Sequence, residues 1–318
     1  MGSHLTRLKR RGASSTLVWL RHRVLIAFVF VVAGLAAGLV LFLPSDGTDH
    51  ILELRGTFGG ARELEVRRDE RSSIRHVALQ NDRGQVVAMA WVRRPRALHP
   101  AYRVVITYAG AKTSDAILRL IPPKDDLVVV AVQYPWTPPR TLLGKVRMPY
   151  DVRQAAYRTV AGGILAVDYL VRDERLDANR ILLLGASLGS IFATIHGAID
   201  ARVPQVVLVH GGADLSTTLN AAMPRVPRWL RPAAVRVARI PIDTFDPAHY
   251  VARISPRRLL VIAARDDQQF PAAAVVAFFD RARQPKELRW TNTRHVGVRD
   301  RTTVDAVMSE LNAYLETR

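Results

Sequence analysis

Five residues near the middle of the chain, Gly185-Ala186-Ser187-Leu188-Gly189, place a serine between two glycines. They follow the apolar run Ile181–Leu184 and precede an apolar stretch predicted to be helical, so Ser187 lies at a sharp turn from strand to helix. Such a turn exposes the serine hydroxyl at the sheet edge, and the N-terminus of the following helix favours a developing oxyanion. A glycine-serine turn without chemistry is the alternative, but this context favours a nucleophile.

A serine hydroxyl is a poor nucleophile and needs a histidine base, which a carboxylate must orient. With a nucleophile at a strand-turn-helix junction, the order along the chain is serine, acid, histidine. His295 follows the predicted late strand Leu259–Ala263 and sits in a short loop segment. We therefore predict His295 as the base, with a surface histidine as the alternative.

The acid is expected where the strand Leu259–Ala263 ends, and two adjacent aspartates stand there. The offset from the strand end favours Asp267 as the partner of the histidine. Asp266 is the first alternative and is expected to face solvent or to pair with Arg265. Asp214, which follows the preceding strand, is the second alternative.

An oxyanion needs two backbone N–H donors. One is predicted from Leu188, the residue after the nucleophile, and the other from the turn that contains Gly110 and Ala111. The segment His210-Gly211-Gly212 is similar to an oxyanion motif but follows the nucleophile in the chain. We interpret it as a strand-end turn that lines the pocket.

The predicted nucleophile, acid and base lie far apart in the chain, so they can meet only in a fold that brings the ends of several strands together. A hairpin over Ile74–Gln80 and Gln85–Val92 precedes regular alternation of strands and helices, which predicts an α/β fold with a doubly wound, mostly parallel sheet. Further strands are predicted at Arg103–Tyr108, Leu127–Gln133, Ile181–Leu184, Gln205–Val209, Leu259–Ala263 and Glu287–Thr291. Helices are predicted at Asp151–Val171, Leu188–Asp200, Ala272–Arg283 and Thr303–Glu316.

Residues 216–250 are too long for a simple crossover, and four prolines divide them, which predicts a small inserted cap over the carboxyl edge of the sheet. The cap mixes apolar side chains with five arginines, at positions 225, 228, 231, 236 and 239. Two interpretations remain open. The favoured one is that the apolar side chains cover the pocket while the arginines face water. The other is that the cap contacts anionic lipid.

The N-terminal part divides into a basic segment, 1–23, an uncharged apolar run, 24–43, and a charged segment, 44–72, which we predict to be an irregular tether. An apolar run of 20 residues spans about 30 Å as a helix, enough to cross a bilayer. Basic residues before it predict a single-pass anchor with a cytoplasmic N-terminus and an extracytoplasmic catalytic domain. The alternatives are a cleaved signal peptide, which would give a secreted protein, and a buried core helix. Gly34 and Gly38 have the GxxxG spacing of a weak helix dimer.

The chain resembles the α/β-hydrolase family, in particular dienelactone-hydrolase-like and acyl-ester-hydrolysing members. The segments that carry the resemblance are Arg180–Gly189, Asp246–Arg257, Arg265–Pro271 and His295. It covers about residues 72–316, and we assign residues 73–318 to this domain. The resemblance implies an eight-stranded sheet and a Ser-His-Asp mechanism through an acyl-enzyme, on a small-molecule or lipid acyl ester.

Composition removes other classes of function. The 318 residues contain no cysteine, which excludes disulfides, a cysteine nucleophile and thiolate metal sites. The net charge of +18 first suggests nucleic-acid binding, but the basic residues are spread along the chain without interleaved aromatic side chains, so we predict no nucleic-acid partner. No metal or organic cofactor is implied. The rival functions are a serine peptidase, an acyltransferase and, from another class, a catalytically silent membrane-tethered binding module.

Overall fold

Strands that are apolar along their whole length belong at the centre of a sheet, because other elements must cover both of their faces. The computed structural model describes residues 47–110, 115–137, 140–297 and 300–316. Within them nine strands form one sheet in the order β1-β2-β3-β5-β4-β6-β7-β8-β9. The strands are β1 (Phe58–Arg68), β2 (Ser72–Asn81), β3 (Val86–Pro95), β4 (Tyr102–Tyr108), β5 (Leu127–Gln133), β6 (Leu176–Ala186), β7 (Gln205–Val209), β8 (Arg258–Ala264) and β9 (Lys286–Thr291).

The sheet is antiparallel at one end and parallel over the rest. β1 pairs with β2, β2 with β3 and β3 with β5 in antiparallel fashion. From β5 through β4, β6, β7 and β8 to β9 every pairing is parallel. The predicted hairpin and the doubly wound, mostly parallel sheet are therefore confirmed. Parallel strands end at a common edge, which is where the predicted site residues follow β6, β8 and β9.

Helices cover both faces of the sheet. They are α1 (Gly47–Arg55), α2 (Ile117–Leu120), α3 (Leu142–Leu170), α4 (Gly189–Ile199), α5 (Leu215–Ala222), α6 (Arg231–Arg239), α7 (Ala272–Arg281) and α8 (Arg301–Glu316). Successive residues of β4 separate the two faces: Val104 and Ile106 pack in one cluster with α3 and α4, whereas Val105 packs in the other with α2 and α8. This alternation is the period of two that a strand imposes.

The predicted irregular tether over residues 44–72 is wrong for most of its length. Residues 47–55 form α1, whose Ile51 is fully buried, and residues 58–68 form the edge strand β1. β1 also makes the sheet nine-stranded within the described chain, instead of the eight strands that the resemblance implied. Most β1 side chains are exposed, so the strand lacks the apolar alternation that a sequence pattern needs.

The segment between β7 and β8 is an insertion made of short helices. It contains α5, α6 and three single turns of 3₁₀ helix at Asp243–Phe245, Pro247–His249 and Val251–Arg253. Asp214 caps α5, because its carboxylate accepts a hydrogen bond from the backbone N–H of Thr217 at 2.8 Å. The insertion corresponds to the cap predicted at 216–250.

Several predictions fall outside the described residues: the basic segment 1–23, the anchor 24–43 with Gly34 and Gly38, and Ala111 of the predicted oxyanion turn. They stay predictions. Among the helices of the described ranges, none has the length and apolar character that crossing a membrane requires.

Candidate active site

The turn that carries Ser187 requires both of its flanking glycines. Ser187 has φ = +54°, a left-handed conformation that is strained for a residue with a side chain. A Cβ on Gly185 would overlap the side chain of Ala193 in α4, and a Cβ on Gly189 would overlap the backbone carbonyl of Tyr108 at the end of β4. The two glycines therefore let α4 start directly against β4 and β6, which holds the strained turn in place.

Ser187, His295 and Asp267 form a chain of hydrogen bonds at the carboxyl edge of the sheet. Ser187 Oγ lies 2.8 Å from His295 Nε2, and His295 Nδ1 lies 2.7 Å from Asp267 Oδ2. The three residues follow β6, β9 and β8, and β8 and β9 are parallel neighbours. With Nδ1–H directed to the carboxylate, Nε2 is left as the acceptor that faces the serine hydroxyl.

The environment of Asp267 keeps its carboxyl group ionised. Burial alone would raise the pKa of this group, but the hydrogen bonds from His295 and from the backbone N–H groups of Phe270 and Gln269 outweigh burial and lower the pKa below its ordinary value. Oδ1 accepts both backbone bonds, at 2.8 Å from Gln269 and 3.0 Å from Phe270. The Phe270 ring stacks on His295 with 5.6 Å between centroids. Carboxylate and imidazole are thus both fixed by the loop after β8.

The two alternative acids lie elsewhere. Asp266 is exposed to solvent. Both carboxylate oxygens of Asp214 accept hydrogen bonds from Thr217, one from the Thr217 backbone N–H and the other from the Thr217 hydroxyl at 3.0 Å. Both ring nitrogens of His295 are already occupied by Ser187 and Asp267. The structure therefore brings Asp267, not its neighbour, to the histidine.

The predicted oxyanion donors belong to the two segments that meet where Gly189 contacts Tyr108. Leu188 is the N-cap residue of α4, whose first N–H groups have no partner within the helix. Gly110 follows Tyr108 and Ala109 at the end of β4, beside the start of α4. The Tyr134 hydroxyl donates to the Ala109 carbonyl and so ties this turn to the end of β5.

A buried polar group that sequence reasoning missed supports the same turn. The Tyr108 hydroxyl lies 2.7 Å from His196 Nδ1, and His196 Nε2 lies 3.6 Å from Asp200 Oδ2. Burial lowers the pKa of His196, which keeps the imidazole neutral despite the nearby carboxylate. Asp200 in turn pairs with Arg202 at 2.6 Å. The signal in the sequence was a histidine and an aspartate four residues apart in an otherwise apolar helix, the spacing of one helical face.

The His210-Gly211-Gly212 turn packs behind the nucleophile. A Cβ on Gly211 would overlap the side chain of Ser190, and the backbone N–H of Gly212 donates to Ser190 Oγ at 3.3 Å. His210, with φ = +45°, has its Nε2 3.2 Å from Thr291 Oγ1, and its ring centroid lies 6.3 Å from that of His295. Burial lowers the pKa of His210 to about 4. The turn therefore packs against α4 and β9, and the expectation that it lines the pocket is not met by the cavity beside Ser187, whose lining contains none of its three residues.

A cavity of about 200 Å³ opens beside Ser187. Its lining is formed by Ser187, Leu188, Ile191, Thr218, Ala221, Ala222, Gln268, Gln269 and Phe270. The lining thus combines apolar residues of α4 and α5, among them Ile191 and Ala221, with Gln268 and Gln269 of the loop after β8. Within the described residues no group of three or more His, Asp or Glu side chains is placed to hold a metal ion.

No family profile matches the sequence, and no curated protein sequence matches it significantly. Solved structures do match. The acetyl xylan esterase from Paenibacillus sp. R4 superposes with a TM-score of 0.61 at 18% identity, over 87% of this chain and 98% of that one. Acetyl xylan esterase 1 from Thermoanaerobacterium sp. JW/SL YS485 gives 0.58 at 15% identity, over 83% and 94%. The alpha/beta hydrolase GrgF from Penicillium sp. sh18 gives 0.52 at 16%, over 81% and 97%. At these identities the likeness is one of fold.

Proposed function

We propose that this chain, which has the α/β-hydrolase fold, hydrolyses carboxylic esters through a covalent acyl-enzyme. The observation that carries the proposal is the chain of hydrogen bonds from Ser187 Oγ through His295 to the buried Asp267 carboxylate. A hydroxyl on a strained turn, an imidazole nitrogen facing it and an ionised carboxylate behind the imidazole are the three groups that nucleophilic acyl transfer requires.

The mechanism follows from the positions of these atoms. Ser187 Oγ attacks the ester carbonyl carbon while its proton passes to His295 Nε2. Asp267 stabilises the imidazolium that forms, through the bond to Nδ1. The backbone N–H groups of Leu188 and of the turn at Gly110 stabilise the oxyanion. The proton on Nε2 then goes to the leaving alkoxide, and water repeats the sequence on the acyl-enzyme to release the acid and restore the hydroxyl.

We propose a short acyl group as the one transferred to Ser187. The cavity beside the nucleophile is about 200 Å³, below the range of about 300–1,000 Å³ that holds drug-sized ligands. Its apolar wall, with Leu188 and Ile191, suits a small hydrocarbon group, whereas Gln268 and Gln269 offer amides to a polar alcohol. The two acetyl xylan esterases named above act, by their names, on an ester of this kind.

The test is covalent labelling followed by turnover. A fluorophosphonate probe should label the wild-type chain at Ser187 and leave Ser187→Ala unlabelled. On p-nitrophenyl esters, kcat/KM should fall as the acyl chain lengthens beyond the cavity, and Ser187→Ala should lose about 10⁴-fold or more in kcat. Circular dichroism of the variant provides the folding control. Labelling of the variant, or turnover near the wild-type level, would refute the assignment of Ser187.

We also propose that residues 24–43 anchor the enzyme in a membrane as a single-pass helix with a cytoplasmic N-terminus. The support is the apolar run of 20 residues behind a basic segment. After expression of the full chain, the protein should stay in the membrane pellet at alkaline pH, with an intact N-terminus. A soluble protein whose N-terminal sequence starts within or after the run would identify a cleaved signal peptide instead.

A further inference from the structure

The cap exposes apolar side chains where a solvated helix normally places polar ones. Trp229 is 81% exposed and Val237 66%, and Leu230 and Ile240 are exposed as well. Along α6 only Val235 is buried, so Ala233 and Val237, four residues apart, share the outward face, and Trp229 and Leu230 are exposed in the turn just before the helix. An isolated exposed leucine needs no explanation, but a stripe of exposed apolar side chains that runs from this turn along the helix indicates a partner.

The charge around this stripe has a single sign. No aspartate or glutamate occurs between Asp214 and Asp243, whereas five arginines do. Arg231 and Arg239 are used inside the cap: Arg231 donates to the Val226 carbonyl at 3.0 Å, and Arg239 pairs with Asp243. Arg225, Arg228 and Arg236 are exposed, and within the described part of the chain no carboxylate forms an ion pair with them. We call this set of residues, Trp229, Leu230, Val237 and Ile240 with Arg225, Arg228 and Arg236, the cap surface.

The first described residue of the chain lies beside the cap. A Cβ on Gly47 would overlap the Thr244 methyl group, and Thr244 belongs to the 3₁₀ turn that directly follows α6. Arg239 in α6 pairs with Asp243 of the same turn, which joins the helix to that point. Only three residues lie between the end of the predicted anchor at residue 43 and Gly47, a reach of at most about 14 Å.

We propose that the cap surface docks on an anionic lipid bilayer, with the Trp229–Val237 stripe at the headgroup boundary and the three exposed arginines on lipid phosphates. Exposed apolar area and basic charge are the two features through which an amphipathic helix binds a membrane interface, and the cap surface, formed by α6 and the segment before it, has both. Docking goes beyond the proposed ester hydrolysis and does not depend on it. Docking would also bring the proposed active site close to the bilayer, because α5 of the same cap lines the cavity beside Ser187 through Thr218, Ala221 and Ala222.

The experiment uses the absence of cysteine, because one introduced thiol is then the only one in the chain. Full-length Trp229→Cys and Val237→Cys are labelled with a polarity-sensitive fluorophore and studied with vesicles of neutral phosphatidylcholine, alone or with phosphatidylglycerol. Leu98→Cys is the control, because Leu98 is 83% exposed in the loop before β4, at the opposite edge of the sheet. We expect a blue shift and quenching by spin-labelled lipid at 229 and 237 on anionic vesicles, and neither at 98.

A variant without the three exposed arginines tests the electrostatic contribution to docking. Replacing Arg225, Arg228 and Arg236 by glutamine should lower the ratio of docked to undocked protein about a hundredfold at low salt, because each arginine near an anionic surface contributes about fivefold. Replacing the exposed Arg62, Arg68 and Arg83, which lie in β1 and in the turn after β2, removes the same charge elsewhere and should leave docking unchanged.

Three results would overturn the proposal: labels at 229 and 237 that stay in water on anionic vesicles, equal shifts on neutral vesicles, or an equal loss in the control triple variant. The first result would exclude an anionic bilayer as the occupant of the cap surface. Because the readout is fluorescence and not turnover, these results are separate from a failure of Ser187 to act as a nucleophile.

Discussion

At the residue scale, the two aspartates after β8 provide a matched pair. Asp267→Asn keeps the shape of the side chain but removes the negative charge behind His295 and allows the wrong imidazole tautomer, so we expect kcat to fall by about 10⁴-fold. Asp266→Asn alters an exposed neighbour and should stay near the wild-type rate. Steady-state kinetics on a short-chain ester measures both. A large loss in Asp266→Asn with an active Asp267→Asn would reverse the assignment.

This pair also marks the limit of prediction from sequence at this scale. Chain order and strand ends predict Ser187 and His295, and the offset from the strand end favours Asp267 as the acid, with Asp266 and Asp214 as alternatives. The choice among them depends on the turn after β8, in which the backbone N–H groups of Gln269 and Phe270 bond to Asp267. Backbone hydrogen bonds of a loop have no residue-type signature, so this part of the site required coordinates.

At the element scale, the junction between β4 and α4 depends on Gly189. Alanine there would place a Cβ against the Tyr108 backbone carbonyl, which cannot rotate away, so either the strand or the helix must shift. We expect Gly189→Ala to lose about 1–3 kcal/mol of stability. It should also lose about a hundredfold in kcat, because the two predicted oxyanion donors lie on the two sides of this contact.

The control for this change is Gly60→Ala in β1. A Cβ at Gly60 meets no atom within 4 Å, and its backbone does not have the left-handed φ that favours glycine. This variant should therefore unfold in urea within about 0.5 kcal/mol of the wild type and keep its activity. Equal losses of stability in the two alanine variants would show that the contact with Tyr108 does not determine the loss.

Elements with a strong apolar pattern were predictable, and those without one were not. The bounds of β5 and β7 coincide with the predicted runs Leu127–Gln133 and Gln205–Val209, because buried parallel strands must be apolar throughout. α1 and β1 escaped detection. The one fully buried side chain of α1 is Ile51, and Arg55 joins the helix to Asp168 of α3 by an ion pair at 2.7 Å. Such a long-range pair cannot be read from local sequence.

At the scale of the whole molecule, buried histidines connect stability to pH. His196 and His210 both have lowered pKa values because burial disfavours their charged forms. Between 6.5 and about 4, the unfolded chain binds a proton at residue 210 that the folded chain does not. The free energy of unfolding must therefore fall as the pH falls through this window, by about 3 kcal/mol for His210 alone.

Buried and paired carboxylates affect the free energy of unfolding at a lower pH than the histidines do. Asp267, Asp200 and Asp126 have lowered pKa values in the folded chain, so their stabilising contribution is present above their ordinary value and is lost only as the pH falls below it. We thus expect two stages in acid: a gradual loss of stability from pH 6.5 to about 4, due to the histidines, and a steeper loss below that, due to the carboxylates.

Urea unfolding at a series of pH values separates the histidine stage from general charge repulsion, which the net charge of +18 makes strong in acid. His210→Asn tolerates the left-handed backbone of that position and removes the titrating ring, so the slope of unfolding free energy between pH 6.5 and about 4 should decrease by close to one proton. His249→Asn changes an exposed histidine of the cap and should keep the wild-type slope. If both variants keep the wild-type slope, His210 is not the group that makes the folded molecule sensitive to mild acid, and repulsion among the arginines would account for the loss.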